Sequence, residues 1–187
     1  MSSTSTVAPP RPGTYVIDKA HTEIGFVARH LIGTKVRGRF TEFEGSFTVA
    51  ENPQDSSVEA IVQAASINTG VDMRDDHLRS NDFLDMANFP TLELKSTSLT
   101  KVSDTEWKLG TNLTIRGVTK PVTFDLEYLG EGAAMQEGKS VVAFSAYAEI
   151  DRRDFGVNFN SSLIDGSVVV GNKVKIEIEV EAGLKDD

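Results

Sequence analysis

The chain contains no cysteine and only three histidines. The missing thiol excludes disulfides, thiolate nucleophiles, cysteine-ligated zinc sites and iron–sulfur clusters. A histidine metal site would require His21, His30 and His77 to converge in space, which nothing in their spacing indicates. We therefore expect neither a bound metal ion nor a cofactor.

Long apolar runs and dense basic clusters are also missing. No run approaches the ~18 apolar residues of a membrane span, so we expect no stable membrane insertion. Lys and Arg number 19 against 28 Asp and Glu, and the resulting net charge of −9 does not suit a nucleic-acid partner. The first residues lack the basic stretch and apolar core of a secretory signal, which favours a cytoplasmic location.

The length of 187 residues and the hydrophobic content of 39% suit a single globular domain with a full core. The start of the chain, MSSTSTVAPPRP, is rich in Ser, Thr and Pro and shows no apolar periodicity. We predict a disordered tail over residues 1–12 and one folded domain over residues 13–184.

Most of the folded domain alternates apolar and polar side chains with a period of two, which is typical of half-buried β-strands. The clearest example is KVKIEIEV at residues 173–180. A short strand over residues 167–170 is expected to end in a turn at Gly171 and Asn172. About eight strands are predicted, and such a long antiparallel sheet tends to close because free edges invite aggregation. We therefore predict an all-β protein built as an eight-stranded antiparallel barrel.

Small side chains are frequent on the faces predicted to point inward: Ala28, Gly45, Ala60, Ala64, Ala146 and Ala148. Eight strands enclose a space just wide enough for one small ligand, so small side chains predict an apolar cavity. The alternative is a narrow barrel that needs small residues to fit its taper. Residues 141–150 are apolar or small on both faces, which predicts a strand covered on both sides.

Residues 72–85, DMRDDHLRSNDFLD, form the one long segment that breaks the alternation. Asp72 is expected to cap a helix through its side chain, and Met73 and His77 would lie one helical turn apart. We predict a short helical insert at one end of the barrel. This insert acts either as a lid over a site or as a solubilising helix.

Four segments, in this order along the chain, resemble the YceI-like family: YVIDKAHTEIGF at residues 15–26, DDHLRSNDF at 75–83, LTIRGVTKPV at 113–122 and IDRRDFG at 150–156. The resemblance implies a lipocalin-like barrel with a short helical insert. It also implies that the barrel binds a long polyisoprenoid lipid, such as a prenyl pyrophosphate or an isoprenoid quinone. Homodimers are common in the family, so the resemblance implies a homodimer here.

An isoprenoid tail would be held by apolar side chains, since each buried methylene contributes about 0.8 kcal/mol. The candidate tail-contacting residues are Phe26, Phe43, Phe47, Leu78, Phe83, Leu84, Phe89, Phe124 and Phe144. Core packing is the alternative role for each of them. Within the insert, Leu78, Phe83 and Leu84 are expected to face the barrel interior.

A head group would need hydrogen-bond donors, and guanidinium groups pair well with phosphate oxygens. The candidate head-group residues are Arg29, His30, Arg37, His77, Arg79 and Arg152. His30 is in phase with the inward residues of its strand and is expected to point inward at the barrel end. The alternative for each arginine is an ion pair with a nearby acid: Asp76, Asp82, Asp151 or Asp154.

Three functions are compatible with these observations. The first is a non-catalytic carrier that binds an isoprenoid lipid inside the barrel, with no catalytic residues. The second is an enzyme acting on such a lipid, with His77 and Asp76 as an acid–base pair, although adjacent helical residues do not face each other. The third is a stress-related interaction module that uses the barrel as a scaffold and exposes an apolar patch on the insert or on residues 141–150.

Overall fold

The computed structural model describes residues 7–31 and 33–185, so half of the predicted tail, residues 1–6, lies outside the described residues. The regular elements are β1 (Gly13–Ile17), β2 (Glu23–His30), β3 (Thr34–Phe40), β4 (Phe43–Val49), β5 (Ser57–Gln63), β6 (Ile67–Asn68), α1 (Asp72–Arg79), β7 (Thr91–Lys101), β8 (Glu106–Ile115), β9 (Val118–Ala133), β10 (Ser140–Asp151) and β11 (Val170–Leu184). Short 3-10 turns cover Pro53–Asp55, Ala64–Ser66 and Arg152–Phe155.

The strands form a closed antiparallel barrel. β1, β4, β5, β7, β8, β9, β10 and β11 make a ring of eight, closed by the pairing of β1 with β11. The other three segments continue members of this ring. β1 and β2 form one long strand, interrupted between them, that pairs with β11. β3 and β4 form the next interrupted strand, and β5 and β6 form the third. The predicted eight-stranded antiparallel barrel with a short helical insert is confirmed.

The period-two alternation places most of the apolar side chains of the strands inside the barrel. In β11, Glu177 and Glu179 are exposed, while Ile176 and Ile178 face the interior. The predicted turn at Gly171 and Asn172 is wrong, because β11 begins at Val170 and runs through both residues. The pairing of β11 with β2 is irregular between Val170 and Val174, as at a β-bulge. The residues between them are therefore accommodated within the strand, and the chain does not reverse.

The helix α1 lies between β6 and β7 and is fixed by a buried carboxylate. Asp72 is the first helical residue and makes no side-chain cap, so its predicted capping role is wrong. Asp75, in the first turn of the helix, is 3% exposed and accepts hydrogen bonds from the Thr69 backbone N–H at 2.9 Å and the Thr69 hydroxyl at 2.5 Å, which ties α1 to the residue after β6. Within the described residues, no helix is long and apolar enough to cross a membrane.

β10 buries one face only. Val142 and Ala148 point inward and are 1% and 3% exposed. On the opposite face Tyr147 is 37% exposed and Glu149 is also exposed. The prediction of a strand covered on both sides is therefore wrong within the single chain, because small residues on the outward face need no cover.

Candidate functional site

The barrel interior contains two apolar cavities that lie end to end. The first cavity, of about 200 Å³, lies toward α1, and the second, of about 310 Å³, lies toward the opposite end of the barrel. Five side chains at mid-barrel line both cavities: Ile24, Ala60, Leu94, Phe124 and Ile178. Only Glu93 and Arg152 bring charge to the wall of the first cavity. The interior therefore suits an elongated apolar molecule.

Three of the six small inward residues create this space. Ala28 and Ala60 line the first cavity, and Ala60 and Ala146 line the second. Ala64 and Ala148, at 0% and 3% exposed, are packed into the wall instead. The remaining one, Gly45, lies opposite Ala60 across the β4–β5 pair, where a Cβ atom would stand 2.9 Å from a backbone oxygen. Both explanations weighed for the small residues therefore apply, each at different positions.

Most of the candidate tail-contacting residues line a cavity. Phe26, Leu78, Phe83 and Leu84 line the first cavity, Phe47 and Phe144 line the second, and Phe124 lines both. The insert thus presents Leu78, Phe83 and Leu84 to the interior, in the expected position. Whether these side chains contact a ligand stays a prediction.

Phe43 and Phe89 lie outside the walls of both cavities, so their expected place on the tail-binding surface is wrong. Phe43 is 6% exposed and is packed where β4 begins. The Phe89 ring lies against Gly117 in the turn between β8 and β9, where a Cβ atom would stand 2.5 Å from Cε1 of the ring. Gly117 has a φ of +70°, so glycine suits this turn for its backbone as well as for the close approach.

Three candidate head-group residues, Arg29, His30 and Arg37, are exposed and line neither cavity. Arg29 donates to the carbonyl of Gly33 at 3.1 Å, and Arg37 lies 3.4 Å from the carboxylate of Glu177. Each arginine is next in sequence to residues that point inward. The alternation of the strand therefore directs its own side chain outward. His30 is exposed at the end of β2, so the expectation that it points inward is wrong.

His77 and Arg79 hold the insert together and do not line either cavity. His77 Nε2 lies 2.8 Å from a carboxylate oxygen of Asp82, so its partner is Asp82 and not the adjacent Asp76. The His77 ring also packs edge-on against Phe83 and against Phe159. These contacts orient the insert over the first cavity.

Arg79 ties α1 to the segment that joins β5 and β6. Its guanidinium donates to the carbonyl of Ala65 at 2.8 Å and to that of Ile67 at 2.9 Å. A third hydrogen bond, at 3.0 Å, runs to the carboxylate of Asp76. The predicted ion pair with Asp76 is therefore present, and the backbone bonds give Arg79 a positioning role.

Arg152 is the one candidate head-group residue that lines a cavity, and it is 5% exposed. Its guanidinium donates to four backbone carbonyls: Gly171 at 3.0 Å, Val157 at 2.8 Å, Phe159 at 2.8 Å and Val170 at 3.3 Å. Burial lowers the pKa of Arg152. The neighbouring Asp151 pairs with Arg153 at 2.7 Å instead. Arg152 thus joins the start of β11 to residues 157–159.

The end of the second cavity is covered by residues 9–12, which we call the strap. Pro9, Pro10 and Pro12 line the cavity. Arg11 fixes the strap through hydrogen bonds to Glu131 at 2.8 Å and to Ser140 at 2.7 Å. Sequence reasoning assigned these residues to a tail and missed this position; their high proline content, which restricts the backbone, was the available signal.

Asp18, His21 and Glu181 form the one cluster of the described chain whose side chains are spaced as metal ligands are. The His21 Nδ1 atom lies 2.8 Å from a carboxylate oxygen of Asp18. This hydrogen bond raises the pKa of His21 and lowers that of Asp18. His30 and His77 are not part of the cluster, so the three histidines do not converge.

The chain is similar to UPF0312 proteins of Staphylococcus aureus. The protein of strain bovine RF122 / ET3-1 is 33% identical over 175 residues, which covers 92% of this chain and 98% of the relative. The protein of strain MSSA476 is 34% identical over the same coverage.

Solved structures share the fold. A YCEI protein of Campylobacter jejuni superposes with a TM-score of 0.72 at 29% identity, over 90% of this chain and 96% of that one. BcnA of Burkholderia cenocepacia gives a TM-score of 0.77 at 19% identity, over 88% and 98%. A polyisoprenoid binding domain from Saccharophagus degradans, implicated in plant cell wall breakdown, gives 0.66 at 12% identity, over 94% and 100%. The last two likenesses show the fold alone.

The family comparison covers almost the entire barrel. The YceI-like domain matches residues 15–182, from β1 to near the end of β11. This range contains all four sequence segments on which the resemblance was based. The chain therefore belongs to the YceI-like family.

Proposed function

We propose that this protein binds the apolar tail of a polyisoprenoid lipid inside its barrel and carries the lipid without changing it chemically. The observation that carries the proposal is the pair of end-to-end apolar cavities. The structural likeness to a polyisoprenoid binding domain from Saccharophagus degradans supports the choice of lipid. The family and the fold support the choice of lipid class, and the cavities supply the physical basis for binding.

Burial of the tail is sufficient to hold such a ligand. Each methylene that leaves water contributes about 0.8 kcal/mol, so a chain of several isoprene units binds without ionic contacts. The second cavity alone, at about 310 Å³, reaches the lower end of the ~300–1,000 Å³ range of small-molecule sites. A chain that passes the mid-barrel constriction would fill both cavities.

The arrangement of the insert supports the non-catalytic form of the proposal over the enzyme hypothesis. The candidate acid–base residue His77 is bonded to Asp82 and lies outside the walls of both cavities. Asp76, its suggested partner, is bonded to Arg79. Neither group is placed to exchange a proton with a lipid held in the interior.

The test is to extract lipids from protein purified from its own host and to identify them by mass spectrometry. A matched pair of variants provides the control: Ala60→Phe places a ring between the cavities, whereas Ile61→Phe changes the neighbouring outward residue. We expect an isoprenoid lipid with the unmodified protein and with Ile61→Phe, and much less with Ala60→Phe. Protein that never yields lipid, and that binds no added isoprenoid, would contradict the proposal.

We also propose that the protein forms a homodimer. The outward face of β10, where Tyr147 is 37% exposed, is the surface that we assign to the second copy. Light scattering coupled to size-exclusion chromatography measures the mass directly. A dimer that dissociates on Tyr147→Glu, and not on Tyr128→Phe in the interior, would identify this face.

A cytoplasmic location likewise stays a proposal. Fractionation of host cells followed by immunoblotting tests it. Recovery of the protein with a soluble cytoplasmic marker is the expected result, and recovery with a periplasmic or envelope marker would contradict it.

A further inference from the structure

A basic face covers one side of the barrel, formed by outward side chains of β2, β3 and the first part of β11. Arg29 lies directly opposite Lys35 across the β2–β3 pair, and Val27 separates Arg37 from Lys175 in one row across three strands. Inward neighbours of these residues line the first cavity, so the alternation directs the cations outward. The cations of this face are Arg29, Lys35, Arg37, Arg39 and Lys175. They share one surface of a chain whose net charge is −9.

Neighbouring acids neutralise little of this positive charge. Arg37 lies 3.4 Å from the carboxylate of Glu177, whereas Arg29 donates to an uncharged backbone carbonyl. Lys35 and Arg39 form no ion pair with any of the described residues. The outward residues of β2 and β3 include a single acid, at the start of β2. The basic face therefore attracts an anionic partner.

A hairpin over residues 162–168 carries an exposed apolar tip. The Leu163 N–H donates to the carbonyl of Ser167 at 2.8 Å and closes the hairpin. At the tip, Leu163 is 44% exposed and Ile164 is 109% exposed. Asp165 is the one acid of the hairpin, and its carboxylate accepts hydrogen bonds from the Ser167 N–H at 2.9 Å and hydroxyl at 2.6 Å. Aliphatic side chains this exposed contribute little to the core and are available to an apolar environment outside the protein.

The hairpin is joined to the basic face and to the wall of the first cavity. Leu31, two residues after Arg29, donates its N–H to the carbonyl of Val169 at 2.9 Å. Val157 and Val170, which flank the hairpin in the sequence, line the first cavity. The apolar tip, the nearest cations and this cavity therefore lie at the same end of the barrel.

We propose that this end of the barrel docks reversibly on the surface of a membrane that contains anionic phospholipid. Leu163 and Ile164 enter the interfacial layer, while Arg29, Lys35 and Arg37 lie on negatively charged head groups. Shallow apolar insertion and adjacent cations are the two contributions that hold peripheral proteins on such surfaces. The apolar part is a narrow tip, which suits insertion between head groups better than it suits a broad protein interface.

Docking of this kind goes beyond the proposed carriage of a lipid and does not require a ligand in the barrel. It brings the first cavity to the bilayer, where apolar ligands dissolve. Because the contact is shallow and largely electrostatic, it is reversible and weakens as salt is added.

The first test measures cosedimentation of the full chain with two kinds of vesicle, both free of isoprenoids. One contains phosphatidylglycerol and phosphatidylcholine in equal parts, and the other contains phosphatidylcholine alone. We expect binding to the anionic vesicles that falls as salt is raised, and little binding to the others. The double variant Lys35→Gln, Arg39→Gln should bind anionic vesicles about 25-fold more weakly, roughly five-fold for each cation removed.

The matched control for this test removes two cations from the far side of the barrel. Lys108 in β8 and Lys120 in β9 belong to the strands that lie across the ring from β2 and β3. The double variant Lys108→Gln, Lys120→Gln makes the same change in net charge. It should leave binding to anionic vesicles nearly unchanged.

The second test follows the tip directly and uses the lack of cysteine in the chain. Ile164→Cys provides a single attachment site for an environment-sensitive nitrobenzoxadiazole dye. We expect the dye emission to shift to the blue and to rise when anionic vesicles are added. Met135→Cys is the control, because Met135 is 102% exposed in the loop between β9 and β10, near the strap. A dye there should show no such change.

The outcomes separate this inference from the proposed function. Equal binding to both kinds of vesicle, no binding at low salt, or an equal loss in the two double variants overturns the inference. Equal dye responses at positions 164 and 135 also overturn it, as does binding to an acidic protein without binding to vesicles. Each of these results leaves the carrier proposal standing, because the vesicles contain no isoprenoid and the carrier proposal is tested by ligand binding alone.

Discussion

The ring of Phe26 lies over Gly38 on the neighbouring strand, so close that a Cβ atom on Gly38 would stand 2.3 Å from Cζ of the ring. The two residues face each other across the β2–β3 pair. Gly38 thus provides the room that the Phe26 side chain occupies, and Phe26 in turn lines the first cavity. The shape of the cavity depends on a residue that is not part of its wall.

Gly38→Ala should therefore displace the Phe26 ring into the first cavity. We expect the free energy of unfolding to fall by about 1–3 kcal/mol, the usual cost of overpacking, and isoprenoid binding to weaken. Urea denaturation and probe titration measure the two effects. Gly132→Ala is the matched control, because a Cβ atom there meets nothing within 4 Å. Equal stability of the two variants would show that the ring moves aside without strain.

Ala60 is the smallest of the five side chains that line both cavities, so a bulky substitution there should divide the interior. We expect Ala60→Phe to weaken binding of a probe long enough to fill both cavities by at least about ten-fold, which corresponds to the burial of roughly two methylenes. A probe short enough for one cavity should bind almost as before. Ile61→Phe, on the outward face, should affect neither. Loss of both probes to the same extent would argue against a ligand that spans the constriction.

Arg152 should contribute strongly to stability through its four carbonyl contacts. Arg152→Gln leaves several buried carbonyls without a donor, at about 1–3 kcal/mol for each group that water does not reach. We expect the free energy of unfolding to fall by about 2–4 kcal/mol and amide exchange to quicken in residues 157–170. Arg153→Gln, at a guanidinium 56% exposed and bonded to Asp151, is the control and should change stability little. Unchanged amide exchange in Arg152→Gln would contradict the bracing role.

The strap should control ligand exchange at the second cavity. Arg11→Ala removes the contacts with Glu131 and Ser140, and an exposed ion pair of this kind contributes about 1 kcal/mol at most. We expect dissociation of a bound isoprenoid, followed by stopped-flow displacement, to become up to about five-fold faster. Lys95→Ala, which breaks the exposed pair with Glu59 on the barrel wall, should leave the rate unchanged. Equal rates in all three proteins would place the exit route elsewhere.

The hydrogen bond between His21 and Asp18 should make stability depend on pH. Because the pKa of His21 is raised, its contribution is fully present below about 6.5, the unfolded value, and is lost as pH rises through the folded pKa. The pKa of Asp18 is lowered, so its contribution is lost as pH falls below about 3.9 through the folded value.

Nuclear magnetic resonance titration of the His21 ring measures this coupling. We expect a pKa above about 6.5 in the unmodified protein and a return toward that value in Asp18→Asn. Asp55→Asn, an exposed acid bonded to Asn52, is the control and should not move it. A His21 pKa that is the same in all three proteins would contradict the assignment.

The barrel could be predicted from the sequence because period-two alternation is a local signal repeated in most strands. The insert was equally visible, since residues 72–85 break that alternation. Leu78, Phe83 and Leu84 were assigned to the interior on this basis, and they line the first cavity. Tyr128 lies four residues after Phe124 in the alternation of β9, which indicates an inward side chain, but nothing local shows that its hydroxyl lacks an acceptor among the described residues.

The head-group residues were harder to place, because a charged side chain can reach several partners. Arg29 and Arg37 were selected by residue type, although the alternation of their strands already directed them outward. Arg152 proved to be buried, and its acceptors come from residues 157–171, up to 19 positions away in sequence. Hydrogen bonds over such separations depend on how the chain closes and leave no periodic signature.

The sequence by itself determined the strand pattern, the insert and the apolar character of the interior, because each depends on residues within a few positions of one another. Only the tertiary structure decided that three strands are interrupted, that the interior holds two cavities with Ala60 on the wall of both, and that the strap covers one end. It also decided that the buried Tyr15 hydroxyl donates to the carbonyl of Arg11, while that of Tyr128 has no partner in the described chain. These features depend on the register and closure of the barrel, which bring together side chains from opposite ends of the chain.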